Sequence, residues 1–124
     1  MQVNVLIADD DMDVNQLVHD VLEICFRDVK VERAMSLGSF WAKLPAAGDP
    51  WDLIFLSAEY IKEEPGGFAG RVLAANPAAP GKVIVVGGKP DFEAFGDDVK
   101  RFPFLAKPFS LDEFEEVVRG VQGQ

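Results

Sequence analysis

Asp9, Asp10 and Asp11 follow directly on the apolar run Val3-Asn4-Val5-Leu6-Ile7-Ala8, and Lys107 precedes Pro108 near the other end of the chain. Adjacent carboxylates supply hard oxygen ligands for a divalent cation such as Mg²⁺, and an ammonium pairs with phosphoryl oxygens. A solvated acidic turn before a helix has the same composition, because acids there complement the helix dipole and cap its free N–H groups. Two further residues close apolar runs. Ser57 ends Asp52-Leu53-Ile54-Phe55-Leu56, and Gly87 ends Lys82-Val83-Ile84-Val85-Val86. No Gly-rich phosphate loop follows the first run, and no histidine or cysteine arrangement for nucleophilic catalysis is present. The single histidine, His19, reads as a surface residue.

The elements that must position these residues follow from hydrophobic periodicity. Val3–Ala8 reads as a buried strand ending in acid. Val14, Leu17, Val18, Val21, Leu22 and Cys25 then fall at the spacing of one helical face. Residues 29–32 alternate as a short strand, and residues 37–44 form a short helix before a loop over 45–50. The runs at 52–56 and 82–86 have the continuous apolar character of central parallel strands. After Ser57 a loop containing Glu63, Glu64, Pro65, Gly66 and Gly67 leads to a helix over 68–76, which Pro77 stops. A helix weakened by Gly96 spans 90–99, and residues 102–106 make a fifth strand. Ser110-Leu111-Asp112-Glu113 has the form of a capping box, with Leu111, Phe114, Val117, Val118 and Val121 as the apolar stripe of a last helix.

Five strands alternating with helices imply a parallel sheet covered on both faces, since each parallel crossover needs a helix-length connection. Ligands of such sheets bind beyond the carboxyl ends of the strands, where strand order reverses. That rule brings Asp9, Asp10, Ser57, Gly87 and Lys107 to one place.

At 124 residues and 48% hydrophobic content, residues 1–124 are expected to form a single domain with its own core. One cysteine, Cys25, excludes an internal disulfide, and no signal peptide or membrane span is legible, so a cytoplasmic location is expected. With 21 acidic against 12 basic residues the formal charge is −9, which disfavours direct binding to nucleic acid or anionic membranes.

In this order and spacing, the motifs Val5-Leu6-Ile7-Ala8-Asp9-Asp10-Asp11, Asp52-Leu53-Ile54-Phe55-Leu56 and Lys107-Pro108-Phe109 with Leu111-Asp112-Glu113 give a chain that resembles the receiver domains of two-component response regulators. The resemblance covers nearly all of it. It implies a flavodoxin-like, doubly wound five-stranded (βα)5 fold of the chemotaxis-regulator type, with helices in layers on both faces. In the family an acidic pair binds Mg²⁺, an aspartate closing the third strand accepts a phosphoryl group from a histidine kinase, and a Ser or Thr closes the fourth. The lysine–proline peptide after the fifth is usually cis, which makes Lys107–Pro108 a cis candidate.

Two departures stand out. Ser57 occupies the position of the acceptor aspartate, and Gly87 that of the switch Ser or Thr. A carboxylate attacks phosphorus directly at neutral pH, whereas a serine hydroxyl needs a base. Loss of the third carboxylate leaves Asp9 and Asp10, with Glu59 as a partial replacement, as a weak or absent Mg²⁺ site. Lys107 keeps the role of phosphate-site lysine for any phosphate that binds. The family's switch aromatic corresponds to Phe104, and six of the ten phenylalanines lie between Phe92 and Phe114, so Phe95, Phe104 and Phe109 are candidates for an interaction surface.

The resemblance, with its two losses, implies a non-enzymatic, phosphorylation-independent pseudo-receiver that binds a signalling protein such as a histidine kinase or an output domain. Two alternatives stay open. Ser57 or a nearby acid takes a phosphate by another route, or the domain is a metal-dependent flavodoxin-like ligand binder.

Overall fold

The computed structural model describes residues 2–45, 51–64 and 66–122. Its centre is one parallel sheet of five strands: β1 (Val3–Ala8), β2 (Val29–Ala34), β3 (Leu53–Ser57), β4 (Val83–Gly87) and β5 (Phe104–Ala106), in the order β2-β1-β3-β4-β5. This is the flavodoxin-like, doubly wound arrangement. The reversal falls between β1 and β3, so the carboxyl ends of those strands flank the crevice where such sheets bind ligands.

Helices cover both faces. Among the described residues they are α1 (Met12–Cys25), α2 (Leu37–Lys43), α3 (Ala58–Glu63), α4 (Phe68–Ala75), α5 (Lys89–Glu93), α6 (Asp97–Lys100) and α7 (Leu111–Gln122), with a 3-10 turn at Ala79–Lys82. Alternation along the strands splits the core in two. Val5, Ile7, Leu53, Phe55, Ile84 and Val86 pack under α1 and α7, with Val18, Leu22, Phe114 and Val118. Leu6, Ala8, Ile54, Leu56, Val83 and Val85 face the other way, toward Phe40, Tyr60, Ile61, Phe68 and Val72. Phe55 and Phe114 stack across the first of these layers at 5.4 Å, nearly parallel.

Each strand and the two long helices lie where the periodicity places them, with shifts of a residue or two at the ends. Four expectations change. Leu17 and Leu111, assigned to apolar stripes, are 48% and 44% exposed, because each sits at the margin of its stripe. The fifth strand starts at Phe104, since Pro103 has no N–H to give to a ladder. The expected helix over 90–99 is two short helices, with the break at 94–96 ahead of Gly96. The expected loop after Ser57 begins instead with the helix α3. Of the expected loop over 45–50, residues 46–50 lie outside the described residues, as does Pro65.

A candidate acidic site at the strand ends

Sheet register sets the site. Ala8 pairs with Leu56, Ser57 with Val86, and Gly87 with Ala106, so Asp9, Ser57, Gly87 and Lys107 fall within about two positions of each other along the carboxyl edge. The Lys107 N–H donates to the Gly87 carbonyl at 2.8 Å, and the Lys107–Pro108 peptide is cis, as the lysine–proline motif implied. At the opposite end of β3 the Asp52 carboxylate accepts the Asn4 N–H at 2.8 Å, which fixes the strand against β1.

Asp9 is 96% buried by its 4% exposure, and one carboxylate oxygen, Oδ1, accepts the Asp11 N–H at 2.9 Å. Its other oxygen, Oδ2, is buried without a protein partner. Burial pushes the Asp9 carboxyl above its ordinary value, and Asp11 and Asp10 add to this; the Asp11 N–H and the Lys107 ammonium oppose it. Asp10 lies exposed beside it. Asp11 is a helix cap: its Oδ1 accepts the N–H groups of Asp13 at 2.9 Å and Val14 at 3.4 Å. Asn15, fully buried on α1, ties this turn together by donating to the Asp9 and Asp11 carbonyls at 2.6 and 3.1 Å.

Ser57 is equally enclosed, at 5% exposure, and its Oγ accepts the Glu59 N–H at 3.2 Å as the N-cap of α3. The hydroxyl that stands at the acceptor position therefore serves the backbone. The helix that it caps alters everything downstream. Its turn carries Glu59 outward to pair with Lys62 at 3.0 Å, and the Lys62 ammonium also meets Asp91 on α5 at 2.6 Å. These hydrogen bonds, to Asp91 first and Glu59 second, raise Lys62 above its ordinary value, and Lys62 holds Asp91 below its own.

Tyr60, in contrast, turns inward. It is 2% exposed, its hydroxyl is buried without a partner, and burial together with the fields of Asp10, Asp9 and Glu63 pushes the phenol up to about 12. Gly87 has its own reason to lack a side chain, because a Cβ there would stand 2.5 Å from the Ala58 Cβ. Two atoms cannot share that space, so Gly87 and Ala58 interlock.

The residues present do not fit a Mg²⁺ site of the expected kind. Asp9 offers a free oxygen, but Glu59 faces Lys62, the Ser57 Oγ is uncharged and engaged, and no group of three His, Cys, Asp or Glu among the described residues could hold a metal ion. The structure thus brings Asp9, Ser57, Gly87 and Lys107 together and leaves Glu59 outside. It also separates the three candidate surface aromatics. Phe104 stacks on Phe92 at 4.2 Å, and Phe92 meets Phe95 edge-on at 6.5 Å. Phe109 packs on Phe114 at 5.8 Å, in the other layer of the core. All three are half-buried. His19, read as a surface residue, is half-buried and takes a hydrogen bond from Arg33 at 3.0 Å on Nδ1.

Tyr60 and Asn15 were not anticipated. Asn15 carried a faint signal, as a polar residue beside Val14 on an otherwise apolar face; Tyr60 carried none while its segment read as a loop.

The architecture is that of receiver domains. No protein-family model matches the chain, and no curated protein matches its sequence. Among solved structures it is similar to the receiver domain of a two-component response regulator from Bacteroides fragilis, with 18% identity, a TM-score of 0.74, and coverage of 100% of this chain and 99% of that one. It is also similar to the chemotaxis protein CheY4 of Vibrio cholerae, at 21% identity and a TM-score of 0.69, with 98% and 99% of the two chains covered. A response regulator from Burkholderia pseudomallei, 16% identical with a TM-score of 0.67 over 94% of this chain and 66% of that one, was solved with a phosphorylated aspartic acid and a calcium ion. Among the described residues no helix is long and apolar enough to cross a membrane.

Proposed function

We propose that this chain is a receiver-type signalling module of a two-component or phosphorelay system that acts by binding other proteins and takes up no phosphoryl group. The observation that carries this reading is the engagement of the Ser57 Oγ as the cap of α3, in the place where a receiver presents its acceptor carboxylate. A neutral hydroxyl needs a base to become a nucleophile. The enclosure of Ser57 also disfavours its modification by a Ser/Thr kinase, which requires access to the hydroxyl. Gly87 removes the hydroxyl that would follow a phosphoryl group, so the usual route from site to surface lacks its first step.

The module is then non-enzymatic and cytoplasmic, and its partner is a signalling protein such as a histidine kinase or an output domain. The charge of −9 supports a protein partner over a nucleic acid or an anionic membrane. Incubation of the wild-type protein with Mg²⁺ and acetyl phosphate, followed by intact mass measurement, tests the reading. The expected spectrum shows no added phosphoryl group; a mass gain of one phosphate on any acid or on Ser57 would sink it.

A further inference from the structure

We propose that the groove between α4 and α6 seats a second copy of this chain, in a twofold pairing that sets Asp98 of each copy against Arg101 of the other. The pairing goes beyond the signalling role proposed above and stands whether or not a phosphoryl group is taken up.

The groove begins with the residues of α4. Ala69, Gly70, Leu73 and Ala74 share one side of that helix, at the i, i+3 and i+4 spacings. Glycine inside a helix costs about 1 kcal/mol relative to alanine. A Cβ at Gly70 would have nothing within 4 Å of it, so packing inside the chain does not call for the glycine. It does let another backbone come close from outside. Ala69, Gly70 and Leu73 line the groove together with Pro80 and Phe102, and its volume is about 380 Å³. Phe102 is buried, whereas Leu73 is 53% exposed. A protruding leucine beside an apolar groove suits a twofold contact, in which one patch must both insert and receive.

The rim selects the occupant. Asp98 on α6 and Arg101 at its C-cap also line the groove, and both are exposed. Among the described residues neither forms a salt bridge within the chain. Opposite charges three residues apart are self-complementary. When α6 meets its own copy antiparallel about a twofold axis, each Asp98 faces an Arg101 and each Arg101 an Asp98. A partner surface of one sign would satisfy one of them and repel the other. The charge of −9 on each copy opposes approach, but at physiological ionic strength that repulsion is screened beyond about 8 Å, and charges in contact are not. A patch of this size gives a weak pair, with a dissociation constant on the order of 100 μM.

Sedimentation equilibrium of the wild-type chain, from about 10 μM to about 1 mM near physiological salt, tests the pairing. The weight-average mass is expected to rise toward that of two chains. Asp98→Arg and Arg101→Asp each bring like charges together and should weaken self-association at least about tenfold. Mixed in equal amounts, these two variants should pair with each other more tightly than either pairs with itself, because one then carries two cations at the contact and the other two anions. Leu73→Asp removes the inserted side chain and should leave a monomer. All three residues are exposed, and circular dichroism checks that each variant keeps the wild-type fold.

A wild-type chain that stays monomeric over the whole range overturns the proposal. So does a dimer that tolerates all three substitutions, which would use another face, or a mixture of the two charge variants that pairs no better than each alone.

Discussion

The two sides of the strand-end crevice were built by different rules. On the Lys107 side, the contacts that shape the motif itself are local. The cis peptide precedes Pro108, the Ser110 Oγ accepts the Glu113 N–H at 3.1 Å, and the Glu113 carboxylate returns the favour to the Ser110 N–H at 2.9 Å. On the Ser57 side, the decisive contacts join residues far apart in sequence: Ala58 against Gly87 and Lys62 against Asp91. The first side is held by contacts within its own motif, and the second by the meeting of separate elements. Conformation written within four residues is legible as a motif, whereas a site that depends on mutual fit is legible only in the fold.

The largest expected effect tests the packing of the last helix on the Lys107 side. Phe114 is fully buried between Phe55 and Phe109, so Phe114→Ala should cost about 3–5 kcal/mol in urea unfolding. A smaller loss would mean that α7 contributes less to the sheet than its packing implies. Next comes the interlock on the opposite side. Gly87→Ser adds a hydroxyl at the end of β4 but drives a Cβ into Ala58, at a cost of about 1–3 kcal/mol. Ala58→Gly in the same chain should recover most of that, and additive costs in the double-mutant cycle would show that the two residues are independent. Ser110→Ala removes a cap and should lose about 1 kcal/mol, with little effect on the Ser57 side.

The smallest effect has the opposite sign. Tyr60→Phe deletes an unpartnered buried hydroxyl and should stabilise the domain by about 1 kcal/mol at neutral pH. Its pH dependence sharpens the point. The unfolded phenol loses its proton near 10.0 and the folded one near 12, so between those values the folded state binds more protons and stability falls as pH rises. That contribution is about 1.4 kcal/mol per pH unit at most, and Tyr60→Phe should remove it from alkaline unfolding curves. Parallel curves for the two proteins would place the hydroxyl in water.

The same asymmetry explains what could be read from the sequence. Period-2 and period-3.6 patterns specify β1, β3, β4, α1 and α7, because burial of one face or of both leaves a one-dimensional trace. The gathering of Asp9, Ser57, Gly87 and Lys107 follows from strand ends alone. Helix α3 left no such trace: Ala58–Glu63 has six residues, too few for a period, and its cap Ser57 was already claimed by the motif. Neither the outward turn of Glu59 nor the inward turn of Tyr60 could be deduced without knowing that the helix starts there. Likewise Phe95 and Phe109 are close in sequence but lie in different layers, which only the sheet reveals.

Strand β5 bears on how the molecule behaves among its own copies. It spans three residues at one margin of the sheet, with Pro103 before it and Pro108 two positions after its last residue. An exposed margin of a sheet is a template for pairing with another chain, and prolines and brevity deny it a register of donors. The opposite margin, β2, carries Lys30, Glu32 and Arg33, whose charges would be forced against each other in a copy aligned alongside. Both margins of the sheet are thereby protected against pairing with a second copy.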